Sequence, residues 1–290
     1  MGSDRLCIQA PAKINLVLRV LGRRTDGFHE LRSLMAPIGL CDSLEVVRGE
    51  NAGVRLRCPD RIDLENKDNL ASRAALAHLE ASGARFGVEI ELEKRIPVQA
   101  GLGGGSSDAA AVLRALQRLS DQALPDDELA SLALSLGADV PFFLQPGPCW
   151  ARGVGERLAP VDLPPFWLVL ASPRYGLSTR RVFESANFPL TSPRDDDRYD
   201  GPFLGLERIA ALAANDLQAT AESLHPDIAR VCRALRGSGA ACAAMSGSGP
   251  SVFGLFASEA AARRALASVK REQGWTYMEV KGINSAKRST

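Results

Sequence analysis

The 290-residue sequence lacks the signals of several protein classes. No run of about 18 uncharged apolar residues occurs, so we expect no transmembrane helix. The first residues lack the apolar core of a secretory signal peptide, and a cytoplasmic location is therefore expected. The formal net charge is only +1, which gives no broad attraction to nucleic acid or to a membrane surface. Small molecules are the expected partners, with no obligate protein partner evident.

Disulfide and metal signals are also missing. The six cysteines are scattered without a C-x-x-C pair, and the three histidines are dispersed. This pattern is typical of reduced thiols in a cytosol, and it argues against a disulfide framework and a zinc site. The length and the 46% apolar content suffice for one large domain or two of ordinary size.

The most informative stretch is glycine-rich and covers residues 97–108. It follows an apolar, β-branched run at 88–96 and precedes a strongly helical one at 109–119. Four of the five residues from Gly101 to Gly105 are glycines, which lets the backbone approach a ligand without Cβ clashes. A strand, a glycine turn and a helix start present backbone N–H groups to an anion. The stretch therefore predicts a phosphate site.

Two common glycine loops do not match this stretch. A Walker A loop requires a lysine after the glycines, and none is present. A Rossmann fingerprint begins with Gly101 and Gly103, but Ser106 occupies its last glycine position. An NAD-dependent oxidoreductase is therefore disfavoured, and a tight turn without a ligand is the structural alternative.

Lys13 lies within an otherwise apolar segment, between strands predicted at 6–8 and 14–18. It either faces solvent on an edge strand or faces a pocket. Asn15 is two residues further on, so both side chains share one face of the strand.

Asp139 follows a helix predicted to end at Leu136 and precedes an apolar segment, 140–144, predicted as a strand. A turn or capping aspartate is the alternative to a functional one. A helix is also predicted from an N-cap at Asp68 or Asn69 to about Ser82.

The domain organisation follows from composition. The first third is rich in strand patterns, and the second half alternates strands with helices, which indicates an α+β protein. A shift near Pro164–Pro165 predicts domains at 1–163 and 164–290. Residues 189–202 form a polar loop, and residues 246–250 either brace the site or make a simple tight turn.

Five motifs in order resemble the GHMP kinases over roughly residues 8–285. They are Pro11-Ala12-Lys13-Ile14-Asn15-Leu16, Asp26-Gly27-Phe28-His29, the glycine stretch extended to Ala110, Leu136-Gly137-Ala138-Asp139-Val140-Pro141 and Ser246-Gly247-Ser248-Gly249-Pro250. The first, second and fourth are similar to the branch that phosphorylates 4-diphosphocytidyl-2-C-methyl-D-erythritol. The resemblance implies a ribosomal-protein-S5 domain 2-like domain, then a ferredoxin-like domain, with the active site in the cleft between them.

The resemblance also implies a reaction. ATP, with Mg²⁺, would phosphorylate the 2-hydroxyl of the cytidylyl-methylerythritol, a step of the non-mevalonate (methylerythritol phosphate) route to isoprenoid precursors. Asp139 would be the general base, and Lys13 would stabilise the alkoxide. The alternatives are another GHMP kinase, of the mevalonate or homoserine kinase type, and a phosphate-binding module without catalysis.

Binding roles are implied in the same way. The ATP set is Asn69 and Lys94 for the adenine and Gly101, Leu102, Gly103, Gly104, Gly105, Ser106 and Ser107 for the phosphates, with Ser107 a candidate Mg²⁺ ligand. The substrate set is Asn15, Phe28, His29, Thr179 and Phe183, in which both phenylalanines sandwich the cytosine. For Lys94 the alternative is an exposed strand-end lysine, and for Phe183 a core aromatic on a helix face.

Overall fold

A computed structural model describes residues 4–49, 52–186 and 204–284 of the chain. The polar loop predicted at 189–202 lies outside these ranges. Within them, no helix is long and apolar enough to cross a bilayer.

The described chain mixes helices and strands, which confirms the predicted α+β class. The strands are β1 (Arg5–Arg23), β2 (His29–Gly49), β3 (Gly53–Arg57), β4 (Gly87–Glu93), β5 (Cys149–Gly153), β6 (Arg157–Pro160), β7 (Trp167–Pro173), β8 (Ala214–Asn215), β9 (Cys242–Met245), β10 (Val252–Phe256) and β11 (Trp275–Lys281). The helices are α1 (Leu70–Ser82), α2 (Gly104–Leu119), α3 (Asp126–Leu136), α4 (Val140–Leu144), α5 (Thr179–Ser185), α6 (Leu206–Leu212), α7 (Gln218–Leu224), α8 (Asp227–Gly237) and α9 (Glu259–Ser268).

Contacts divide the chain into two compact units. Unit 1 takes its described residues from 1–12, 40–96 and 103–145, and unit 2 from 13–39, 97–102 and 146–290. The domain boundary between residues 163 and 164 stays a prediction.

Unit 1 contains β3, β4, the first part of β1 and the second half of β2, together with four helices. β4 pairs antiparallel with the second half of β2, from Ser43 opposite Glu93, and parallel with β3. Along β4 the apolar residues are buried and the glutamates exposed, as period-2 alternation predicts. α1 and α2 pack closely, because alanines fill the buried face of each helix. The glycine helix α2 is thus held on a rigid core.

Unit 2 contains a four-stranded antiparallel sheet in the order β11-β7-β10-β9. In chain order these are the fourth, first, third and second strands, which is the ferredoxin-like arrangement predicted for the second half. α8 and α9 pack against this sheet. In the same unit the first half of β2 pairs with β5, and β8 runs parallel to β1 at Val17 and Leu18.

Two local predictions differ from the structure. The strands predicted at 6–8 and 14–18 form one continuous strand, β1, with Lys13 in its interior. The strand predicted at 140–144 is wrong, because these residues form the short helix α4. Pro141 lies in its first turn, where a missing N–H costs nothing. A five-residue apolar run does not distinguish a strand from a buried helix by periodicity.

Candidate active site

Helix α2 of unit 1, which follows the glycine turn at residues 101–103, begins earlier than the helical pattern at 109–119 predicted. α2 starts at Gly104, and Gly103 is its N-cap with a left-handed φ of 70°. No side chain caps this end of the helix. Gly104, Gly105, Ser106 and Ser107 therefore form a first turn whose backbone N–H groups and helix dipole favour an anion.

Ser107 and Ser106 make this turn suited to a phosphate. The Ser107 hydroxyl is buried and has no hydrogen-bond partner in the described part of the chain, which is costly unless a ligand or water supplies one. A Cβ placed on Gly137 would lie 3.9 Å from the Ser106 hydroxyl oxygen, so the turn before α4 adjoins the first turn of α2. The residues of this turn fit the predicted triphosphate.

Asp139 lies in that adjoining turn. It is the N-cap residue of α4, but its side chain does not cap the helix. The Val140 N–H is instead satisfied by the Gly137 carbonyl, at 3.0 Å. The structure therefore does not support a capping role for Asp139, and it places this residue in the same unit as the glycine helix.

Lys13 of unit 2 is buried, with 3% of its surface exposed, so it is not a solvent-facing edge lysine. Its ammonium donates to Asn15 Oδ1 at 2.6 Å and to the Gly101 carbonyl at 3.2 Å. Its backbone N–H donates to the Leu102 carbonyl at 2.9 Å. The predicted shared face of Lys13 and Asn15 is confirmed, and the lysine lies against the start of the glycine turn.

The loop at 246–250 braces this part of unit 2 and is more than a tight turn. The Ser246 hydroxyl donates to the Gly101 carbonyl at 2.9 Å, and a Cβ on Gly247 would lie 3.2 Å from the Lys13 ammonium nitrogen. Ser248 and Thr179 share a hydroxyl hydrogen bond of 2.7 Å. Thr179 is thereby linked to the loop that contacts Lys13.

The Phe28–His29 segment is presented by a turn in which Asp26 accepts the Phe28 N–H at 3.1 Å. Phe28 is 63% exposed. The His29 ring lies 5.0 Å from the Phe183 ring, tilted by 33°. The described structure thus brings Phe183 to His29, and the two-phenylalanine sandwich stays a prediction. Burial lowers the pKa of His29, so a neutral imidazole that can both donate and accept is favoured at pH 7.

Asn69 and Lys94, the predicted adenine residues, have structural partners in unit 1. Asn69 caps α1, as predicted, by accepting the Ala71 N–H at 2.9 Å, and its amide also donates to the Leu64 carbonyl. The exposed-lysine alternative for Lys94 is wrong, because its ammonium is buried in ion pairs with Asp42 and Asp108. An adenine contact by either residue stays a prediction.

The triad of Lys94, Asp42 and Asp108 predicts a pH dependence of stability. Burial raises the pKa of Asp108 to about 7, and the Asp42 carboxylate also raises it. The folded state therefore holds a proton that the unfolded chain releases near pH 4. The contribution of Asp108 to the free energy of unfolding is therefore fully present below about pH 4. It is lost as the pH rises to about 7.

Asp108→Asn is expected to remove this component, because an amide does not titrate. The measurement is the urea midpoint of the wild type and the variant at intervals from pH 4 to pH 8. The difference between the two midpoints should change across this range. A constant difference would contradict the assignment, and Asp121→Asn, at an exposed carboxylate paired with Arg48, serves as the control.

Two residues that hold candidate site residues in place, one in each unit, were not predicted. Asp42 accepts hydrogen bonds from the backbone N–H groups of Arg95 and Ile96. The sequence feature that could have indicated this role is an isolated acid in an apolar segment. Asn215 donates to the Met245 and Gly247 carbonyls and fixes the bracing loop. No sequence pattern indicated this role of Asn215, because its partners are about 30 residues away in sequence.

Comparison with known families shows two matches. The profile of the GHMP kinases N terminal domain matches residues 69–147, and that of the GHMP kinases C terminal domain matches residues 203–274. The glycine turn and Asp139 lie within the first match, and the bracing loop lies within the second. The predicted succession of an N-terminal and a C-terminal GHMP kinase domain is confirmed.

Individual proteins are similar over nearly the whole chain. A 4-diphosphocytidyl-2-C-methyl-D-erythritol kinase of Syntrophus aciditrophicus (strain SB) is 44% identical over 281 residues, covering 96% of this chain and 100% of the relative. The crystal structure of a 4-(cytidine 5'-diphospho)-2C-methyl-D-erythritol kinase has a TM-score of 0.79 at 40% identity, covering 96% of this chain and 100% of that chain. A homoserine kinase structure from Cytophaga hutchinsonii ATCC 33406 has a TM-score of 0.76 at 20% identity, covering 98% of this chain and 96% of that chain. At that identity it shows a common fold.

Proposed function

The chain belongs to the GHMP kinases, and from this premise we propose that it transfers the γ-phosphoryl group of ATP to the 2-hydroxyl of 4-diphosphocytidyl-2-C-methyl-D-erythritol. The observation that carries the proposal is the buried Lys13 ammonium held on the carbonyl of Gly101, at the start of the glycine turn. The relatives at 40% identity or more that are named as kinases of this compound support the substrate assignment. The product would serve the methylerythritol phosphate route to isoprenoid precursors.

The first turn of α2 would hold the ATP phosphates. Among the described residues, no side chain caps its N–H groups and the Ser107 hydroxyl has no hydrogen-bond partner, so both provide donors for phosphate oxygens. Within the described residues, no group of three or more His, Cys, Asp or Glu side chains could hold a metal ion. Mg²⁺ would therefore be carried mainly by the phosphates, whose charge it neutralises when bound, with the Ser107 hydroxyl as the candidate protein ligand.

Asp139 and Lys13 would carry the proton chemistry. The Asp139 carboxylate would accept the proton of the 2-hydroxyl as that oxygen attacks phosphorus. The Lys13 ammonium would stabilise the negative charge that develops on the same oxygen. A fixed cation lowers the barrier to forming negative charge on the reacting oxygen.

The remaining substrate residues would set specificity. Phe28 and Phe183 would offer apolar faces to the cytosine, and the neutral His29 imidazole would hydrogen-bond to its edge. Asn15 and Thr179 would contact the methylerythritol or its diphosphate. Asn69 and Lys94 would contact the adenine through atoms other than the amide and ammonium groups that the fold already engages.

Another GHMP kinase activity, of the mevalonate or homoserine kinase type, is the alternative function. An exposed aromatic ring beside a neutral imidazole suits a nucleobase better than a small carboxylic acid. The test is ADP release from Mg-ATP with the cytidylyl substrate, mevalonate or homoserine as acceptor. The cytidylyl compound should give the highest kcat/KM, and a higher value with either acid would overturn the assignment.

Phe28→Ala is expected to raise KM for the cytidylyl substrate by at least ~10-fold and to leave KM for ATP within about 2-fold. The reason is the loss of one stacking face, worth about 1–3 kcal/mol per base in comparable contacts. Because Phe28 is largely exposed, the fold should be unaffected. The measurement is steady-state kinetics with each substrate varied in turn. Leu76→Ala, at an exposed site on α1, is the control, and an equal rise in both KM values would remove Phe28 from the cytidine site.

A further inference from the structure

The orientation of the Asn15 side chain decides whether Asn15 can accept a hydrogen bond from Lys13. The Lys13 ammonium has only donor hydrogens, so it requires the amide oxygen of Asn15 and not the amide nitrogen. The observed contact is to Oδ1, at 2.6 Å. A rotation of the amide by half a turn would place an NH₂ group against the ammonium, which removes the hydrogen bond.

Ser33 fixes this orientation. It is a buried serine on β2, and its hydroxyl donates to the Val17 carbonyl at 2.7 Å. The single hydroxyl proton is used in that bond, so the oxygen faces Asn15 as an acceptor. Asn15 Nδ2 donates to it at 2.8 Å. With Nδ2 held by Ser33, the amide oxygen points to Lys13.

A second serine holds the Gly101 carbonyl, which also accepts a hydrogen bond from the lysine. The Ser246 hydroxyl accepts the Asn15 backbone N–H at 3.3 Å and donates to the Gly101 carbonyl at 2.9 Å. Gly101 and Asn15 are the acceptors that the Lys13 ammonium contacts. All of these residues belong to unit 2, and their hydrogen bonds form one connected, buried network.

We propose that Ser33 is a positioning residue for phosphoryl transfer, acting through Asn15 to hold the Lys13 ammonium at the glycine turn. The proposal rests on the proposed kinase function of this site. Ser33 touches neither the reacting atoms nor the nucleotide in this account. Its effect is therefore expected on kcat and not on the KM for ATP.

The kinetic test compares Ser33→Ala with Ser172→Ala. Ser172 is a buried serine on β7 whose hydroxyl shares a 2.8 Å hydrogen bond with that of Ser251, so both variants remove one buried hydroxyl group. Ser33→Ala should lower kcat about 10-fold, since small misplacement of a catalytic group has large effects, with KM for ATP within about 2-fold. Ser172→Ala should leave kcat unchanged. Equal effects of the two variants on kcat would overturn the proposal.

A double-mutant cycle separates positioning from general destabilisation. If Ser33 acts through Asn15, Ser33→Ala should have no further effect on kcat in an Asn15→Ala background. The same fold loss in both backgrounds would overturn the proposal. Ser33→Thr, which keeps the hydroxyl, should restore most of the activity.

A measurement that does not depend on catalysis distinguishes failure of the Ser33 proposal from failure of the proposed function. The Asn15 side-chain amide resonances, assigned by their loss in Asn15→Ala, should exchange with solvent at least ~10-fold faster in Ser33→Ala than in the wild type. Unchanged exchange would overturn the role of Ser33 even if the substrate assignment is correct. Failure of the wild type to phosphorylate the cytidylyl substrate would overturn the proposed function, whereas altered exchange would still establish the Ser33 contact.

Discussion

Asp139→Asn should lower kcat by at least ~10²-fold while ATP still binds with near-normal affinity. This is the low end of the loss expected when a general base is removed. The amide has the size of the carboxylate but cannot accept the proton at neutral pH. The carboxylate does not cap α4, so the substitution should leave the local helix intact. Single-turnover kinetics and calorimetric ATP titration measure the two quantities separately.

Asp126→Asn is the matched control for this prediction. Asp126 is an acid in the first turn of α3, in the same unit of the structure, and it has no proposed catalytic role. Its kcat should match that of the wild type. Near-normal turnover by Asp139→Asn would remove Asp139 from the role of base, and a parallel loss of ATP affinity would point to damage at the phosphate turn.

Gly101→Ala should lower kcat/KM for ATP by at least ~10²-fold, because the glycine turn has no room for a side chain. Gly101 has a left-handed φ of 75°, and a Cβ there would lie 2.1 Å from the Ser246 carbonyl oxygen and 3.0 Å from the Gly249 nitrogen. Both obstacles are backbone atoms, so relief requires movement of the bracing loop. The Gly101 carbonyl, which accepts from Lys13 and Ser246, would move with it.

Gly274→Ala separates this steric effect from backbone strain. Gly274 has nearly the same φ, 78°, but a Cβ there would meet no atom within 4 Å. Gly274→Ala should lower the free energy of unfolding by about 1–2 kcal/mol, because alanine disfavours a left-handed backbone. Its kcat/KM should stay close to that of the wild type. An equal loss of activity in both alanine variants would contradict the assignment of the Gly101→Ala effect to close packing around Gly101.

Local sequence patterns were enough to predict the parts of the site that depend on short spacings. The clustered glycines predicted a turn followed by a helix start, and the period-2 geometry of a strand placed Asn15 beside Lys13, as observed at 2.6 Å. Asp68 or Asn69 was predicted as the cap of α1 because both residue types favour N-caps, and the structure shows that Asn69 is the cap. These inferences need only backbone geometry that neighbours in sequence determine.

Contacts between distant segments were not predictable in the same way. Ser33 resembles any serine on a strand, and it gains Asn15 as a partner because β2 and β1 are neighbours in the sheet. For Lys94 the alternative to an adenine contact was an exposed strand end, yet Asp42, 52 residues away, buries the lysine in an ion pair. The start of α2 was placed too late, because glycine is a poor helix former and the packing of α2 on α1 outweighs that preference.

The central claim is that the γ-phosphoryl of ATP moves to the 2-hydroxyl of the cytidylyl-methylerythritol, and ³¹P NMR of the reaction mixture tests it directly. With the acceptor ¹³C-labelled at C2, we expect a new phosphomonoester resonance coupled to that carbon, equimolar with ADP and with the cytidylyl diphosphate intact. A monoester on another hydroxyl, or ADP release without a phosphorylated acceptor, would contradict the account.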